Sequence, residues 1–162
     1  MTTTIENLGN LEQIARHYRD EYVQHWGDWL YEFKWDMFVS LTFRDIPPEL
    51  RAKGVTRVTL EYMEEKWKKL LHKLKILQGS APYWARVTEN SMFREAPHFH
   101  ALIGGVSEVN LKRIGRLWGQ FGGHAKIERY NRDENGTFYV AKSHDTLRLS
   151  NIDFVKFHKE LI

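Results

Sequence analysis

The stretch H98-F-H-A-L-I-G-G105 decides the fold of this 162-residue chain. Its apolar interior reads as a β-strand, and side chains alternate faces along a strand. Phe99, Ala101 and Ile103 therefore share one face, and that face is wholly apolar. His98, His100 and Leu102 share the other, which sets two imidazoles side by side. One face is built to pack under helices. The other presents nitrogen donors.

Working outward from this strand, the neighbours alternate between strands and helices. Met37 to Phe43 is β-rich and ends in Arg44 and Asp45, and the prolines of IPPEL stop it. Thr59 caps an amphipathic helix whose apolar face is Met63, Trp67, Leu70, Leu71, Leu74 and Leu77. Lys66, Lys68, Lys69, Lys73 and Lys75 occupy most of the rest, which reads as a solvated face. APYWARVTE is the next strand, and NSMFREAP is a hairpin loop leading into HFHALIGG. Ser107 caps a helix carrying Leu111, Ile114 and Trp118, ended by Gly119, Gly122 and Gly123. HAKIERY is a fourth strand, NRDENG a polar turn, and TFYVAKSHD one or two helical turns with Thr137 as cap.

The order strand-helix-strand, strand-helix-strand is the ferredoxin-like split pattern. The expected fold is α+β: an RRM-like antiparallel sheet with helices packed mainly on one face. Ahead of it, Asn10 caps an N-terminal helix. Leu11, Ile14, Tyr18, Tyr22, Trp26, Trp29 and Phe33 form its stripe, and Gly27 loosens or breaks it. The chain is expected to be a single domain over 1–162. It divides into a helical extension at 1–35, a core at 36–145 and a C-terminal segment at 146–162.

Composition narrows the chemistry. There are no cysteines, which excludes disulfides, thiolate zinc sites and cysteine nucleophiles. No apolar run is long enough to cross a membrane, and MTTTIENLGN lacks the order of a signal peptide, so a cytoplasmic protein is expected. The net charge of +3 permits a polyanionic partner without demanding one.

Glu89 ends its strand, and if residues 90–97 form the hairpin loop it falls near His98 across the ladder. Glu95, in the loop, competes for the same role. Two imidazoles and one carboxylate suit a divalent ion acting as a Lewis acid, Mn²⁺ or Mg²⁺. Tyr139 and Lys142 stand three apart and share a helix face. A nearby ammonium and a polarised phosphate would both help a tyrosine hydroxyl attack. Arg44, Lys126 and Arg129 are candidate DNA phosphate contacts because they put charge at strand ends.

Taken in order, FVSLTF, HFHALIGG and YVAKS resemble the motifs of the HUH-endonuclease superfamily, in particular the single-tyrosine rolling-circle replication initiator (Rep) proteins. In that family the first motif is an apolar strand ending near Thr-Phe. The second is His, hydrophobic, His, and the third is Tyr-x-x-Lys. The matching span, Met37 to Ser143, covers most of the chain. The resemblance implies metal ligation by His98 and His100, with Glu89 as third ligand. It implies that Tyr139 nicks single-stranded DNA at a replication origin, often a hairpin, and stays joined to the 5′ phosphate while Lys142 assists.

YVAKS holds one tyrosine, so a second strand transfer would need a second subunit in a homodimer, another tyrosine or water. Tyr130 lies nearby but on a strand, which makes it a decoy. There is no GxxxxGK[ST] phosphate loop, so unwinding would need a separate helicase or a longer parent chain. An HUH transposase of the short single-tyrosine kind shares the chemistry and differs in substrate. A non-catalytic single-strand nucleic-acid binder would share the sheet but not need His98, His100 and Tyr139 to converge.

Overall fold

The computed structural model describes residues 20–43, 45–89 and 97–143. Within them lie β1 (Met37–Thr42), α2 (Pro48–Arg51), α3 (Leu60–Gln78), β2 (Tyr83–Glu89), β3 (His98–Gly104), α4 (Leu111–Gly119), β4 (His124–Arg129) and α5 (Gly136–Ser143). They follow α1, helical over residues 20–31. Among the described residues the strands form one antiparallel sheet of order β2-β3-β1-β4. That is the ferredoxin-like order expected of the α+β pattern. No helix among the described residues is long and apolar enough to cross a membrane.

The core lies where the alternation of β3 places it. Phe99, Ala101 and Ile103 are fully buried with Met37, Val39 and Leu41 of β1. Above them sit Met63, Trp67, Leu70 and Leu74 of α3 and Ile114 and Trp118 of α4. Burial of each such side chain is worth about 1.5–3 kcal/mol, so this layer carries most of the fold. Thr59 caps α3 by accepting from the Tyr62 amide, and Gly79 ends it at a left-handed φ of 82°.

The same face buries Arg86, 1% exposed, where the apolar run of β2 gives no hint of a charge. Its guanidinium makes a two-pronged bond to Glu64 of α3, at 2.6 and 3.1 Å. It also lies 3.9 Å from the Phe99 ring centroid and 5.3 Å from that of Trp67. This pairing locks β2 against α3.

Several local expectations are corrected. Lys66 is buried rather than solvated: its ammonium lies 3.0 Å from Glu49 and over the Tyr62 ring. Periodicity alone could not foresee α2, which brings Glu49 over. The prolines of IPPEL do end β1, yet Pro48 starts α2, because a first-turn helix position needs no amide donor. Asn110, not Ser107, caps α4, accepting from the Lys112 amide. Thr137 lies inside α5 and is fully buried, so it caps nothing.

The second face of the sheet is also covered. Leu30 of α1 and Val140 of α5 pack there with Ala85, Val87 and Leu102. The expected start of the N-terminal helix at Asn10 and the segment 146–162 fall outside the described residues. The helix ends at Tyr31, and the Phe33 amide donates to Leu30 O in the turn that follows.

Gly27 neither loosens nor breaks α1. It is helical, and a Cβ there would come within 2.2 Å of the Phe138 ring of α5. The glycine therefore sets the close approach of α1 to the helix that carries Tyr139. Alanine at 27 would gain about 1 kcal/mol of helix propensity but would overpack by about 1–3 kcal/mol. Gly27→Ala is expected to lower stability by about 1 kcal/mol and Gly27→Val by more, read from urea midpoints. A rise in midpoint for Gly27→Val would refute the close packing of α1 on α5.

Candidate metal centre

Strand register builds the site. Across the β2–β3 ladder Glu89 stands opposite His98 and Val87 opposite His100. Across the β3–β1 ladder Ser40 stands opposite His100, and Lys126 of β4 in turn stands opposite Ser40. Glu89, His98, His100, Ser40 and Lys126 thus share the face away from α3 and α4.

The donors converge. Glu89 Oε2 lies 3.0 Å from His98 Nε2 and 3.3 Å from His100 Nε2. One ligand atom from each of the three residues can be chosen so that all lie within 4.8 Å of one another. Ser40 Oγ lies 2.9 Å from His100 Nδ1. With the proton on Nδ1 donated to Ser40, Nε2 of His100 keeps its lone pair. That Nε2 is buried facing Glu89, and His98 Nδ1 is buried with no hydrogen-bond partner among the described residues. Burial lowers the pKa of His100 below the usual imidazole value, against the opposing pull of Glu89. A neutral imidazole is the ligating form. Two imidazoles and one carboxylate converging in a partly buried cluster fit a divalent cation.

α5 covers the cluster. The Tyr139 ring centroid lies 4.9 Å from that of His100 and 5.9 Å, at 90°, from that of Phe38. Phe38 itself stacks on His100 at 6.1 Å. Thr137, Val140 and Ala141 form the inner face of α5, which leaves Tyr139 at its edge, 44% exposed. The tyrosine touches the cluster and is still reachable from outside. Burial, and then the charge of Glu89, raise its pKa above the usual phenol value.

The remaining sequence-derived candidates divide. Lys142 is exposed, three residues on from Tyr139 in α5. Lys126 lines the same cleft as His100 and Tyr139, with its ammonium 3.0 Å from Glu128. Arg129 borders that cleft, but its guanidinium donates to Val109 O on the α4 side of the sheet. That bond directs its guanidinium toward the loop before α4. Tyr130 also lines the cleft with its hydroxyl buried, so it serves as wall rather than as a second nucleophile. Arg44 and Glu95 lie outside the described residues.

Two contributors were missed in the sequence. Ser40 and Phe38 alternate with Met37, Val39 and Leu41 in MFVSLT. A lone serine in an apolar strand was the available signal for a polar partner on the histidine face.

No family model matches the chain, and no curated protein matches it. Among solved structures it is similar to one described as the crystal structure of the hypothetical protein ORF119 from Sulfolobus islandicus rod-shaped virus 1, at 12% identity and a TM-score of 0.50. The match covers 83% of this chain and 97% of that one, and it is a likeness of fold alone.

The Ser40 hydroxyl orients a ligand without being one. Loss of such a partner typically weakens metal affinity about 10–100-fold. Ser40→Ala is expected to raise the Kd for Mn²⁺ about tenfold by titration calorimetry, and His98→Ala with His100→Ala to abolish binding. Unchanged affinity in the double variant would rule out the ligand set.

Proposed function

We propose that this chain is a metal-dependent enzyme that nicks and rejoins single-stranded DNA through a phosphotyrosine intermediate, and that it starts rolling-circle replication of a plasmid or virus. The observation that carries this reading is the placement of Tyr139, half exposed, against the Glu89, His98 and His100 cluster. A plain nucleic-acid-binding sheet has no use for that convergence.

Glu89, His98 and His100 would hold the cation, Mn²⁺ or Mg²⁺. When bound, it supplies the positive charge that polarises a scissile phosphate. Tyr139 Oη attacks phosphorus, forming the tyrosyl O–P bond as the P–O3′ bond breaks. The phenolic proton is lost and the departing 3′ oxygen takes one up. The DNA 5′ phosphate is left esterified to Tyr139. One phosphoester replaces another, so a 3′ hydroxyl can reverse the step without ATP. Tyr139 is protonated at neutral pH, since burial and Glu89 both disfavour its phenolate. Positive charge beside it is therefore required. Lys142, on the same helix, and Lys126, across the cleft, give the DNA backbone cationic contacts.

The partners of this reading are a single-stranded origin, a separate helicase and cytoplasmic DNA, with a second copy of the chain available for a second transfer. A single-tyrosine transposase would use the same groups on different DNA ends.

Tyr139→Phe removes only the nucleophilic oxygen. With a pool of labelled single-stranded oligonucleotides and Mn²⁺, the wild-type protein is expected to give a denaturant-resistant adduct that EDTA abolishes. The Phe variant should lose it at least about 10³-fold while binding DNA within about twofold. An adduct of undiminished yield in Tyr139→Phe would end the assignment. Binding without an adduct in the wild type would favour the plain single-strand binder.

A further inference from the structure

Beside Tyr139 the cleft extends toward β4, an edge strand, and its volume is about 270 Å³. That is near the lower end of small-ligand pockets, roughly 300–1,000 Å³. It suits a single nucleobase with its sugar rather than a base pair. His100 and Tyr139 line one part of it. Phe38 and Tyr130 add two more rings, and Glu128 and Glu134 supply carboxylates. The metal cluster and the tyrosine chemistry leave both carboxylates unused.

We infer that this cleft is a specificity pocket for one unpaired base next to the scissile phosphate, and that Glu128 and Glu134 make it prefer guanine and reject thymine. The inference deepens the nicking reading and rests on it.

The chemistry runs from three observations. First, aromatic rings around a slot of this size offer stacking surfaces to a base turned out of a single strand. Second, both carboxylates have polar neighbours at the cleft. Lys126 lies 3.0 Å from Glu128, and Asn131 Nδ2 donates to Glu134 at 3.3 Å. Third, carboxylates repel phosphate, so the DNA backbone must keep to the histidine and lysine side while the base enters. A carboxylate only accepts hydrogen bonds. Guanine offers it two adjacent donors, N1–H and the N2 amino group. Adenine and cytosine each offer one amino group. The single N–H of thymine is flanked by two carbonyl oxygens, which would face the carboxylate charge.

The test has two arms. In the first, the wild type and Glu128→Gln with Glu134→Gln react with a randomised single-stranded pool and Mn²⁺, and the trapped strands are sequenced. The wild type is expected to enrich guanine about tenfold over thymine at one position within two nucleotides of the joined phosphate, the size of one bidentate base contact. The double variant should flatten that position and no other.

The second arm does not need nicking. Anisotropy with the Tyr139→Phe protein in Mn²⁺ compares a labelled nine-residue oligothymidylate with the same oligomer carrying one central guanine. The guanine oligomer should bind about tenfold tighter, and the added glutamines should erase the difference. Adducts without guanine preference, or a preference that survives both glutamines, overturn the pocket and leave the nicking reading standing. Guanine preference in the second arm with no adduct in the first upholds the pocket and removes the nicking reading. Failure of both arms removes both.

Discussion

The register of β3 against β1 and β2 is the constraint on which everything else depends. A slip of one residue would turn His98 and His100 into the α3–α4 core and bring Phe99, Ala101 and Ile103 to the site. The slip is prevented on the side away from the chemistry. Phe99 and Ile103 are fully buried, and exposing both would cost several kcal/mol at about 1.5–3 kcal/mol each. Arg86 adds a polar lock. Its two-pronged bond to Glu64 and its place against Phe99 tie β2, β3 and α3 into one arrangement. An apolar side chain of the same size would pack as well but would tolerate more sliding. Glu89 reaches His98 because Arg86, three residues earlier on the opposite face, cannot move.

The second layer solves a different problem, which is to hold a tyrosine against the cluster without burying it. α5 does so with Thr137, Val140 and Ala141, all buried at helical spacing, which puts Tyr139 at the rim of the contact. α1 then presses on α5 through the gap that Gly27 leaves for Phe138. Arg132 ties the loop ahead of α5 to α1, donating to Tyr31 O and lying 4.4 Å from the centroid of its ring. The N-terminal helix, for which the motif resemblance offered no role, is thus the backing that holds the tyrosine helix in place.

How much of this the sequence revealed follows from which interactions are local. The four strands and helices α1, α3 and α4 were legible because alternation and 3.6-residue periodicity are local patterns with many residues each. The pairing of Glu89 with His98 was legible too, because a hairpin fixes its own register once its loop is placed. What stayed hidden depended on partners distant in sequence. Lys66 looked solvated because Glu49 reaches it only through the unforeseen α2. Arg86 was invisible as a core residue because its partner Glu64 sits on what reads as a helix surface. Ser107 and Asn110 are equally good caps in isolation, and Asn110 prevails in a loop where Val106 and Val109 turn into the core. Arg129 was read by charge alone, and nothing local foretold that its guanidinium donates to Val109 O.

The charge pattern of the histidine face bears most directly on the proposed chemistry. Without a cation, the cluster is a carboxylate between two imidazoles, and burial keeps His100 from taking a proton. The Glu89 carboxylate lies where a DNA phosphate would approach, and like charge opposes that approach. Glu89 also raises the pKa of Tyr139, which makes the tyrosine a poorer nucleophile. Both effects work against nicking, and both reverse in sign when a divalent charge sits among the ligands. Lys126 cannot substitute for that charge, because Glu128 already draws its ammonium. A sheet selected only to bind nucleic acid would gain from replacing Glu89 with a neutral or basic residue. That this face instead holds an acid where it hinders both phosphate and phenolate is the physical argument for a cation as part of the working site.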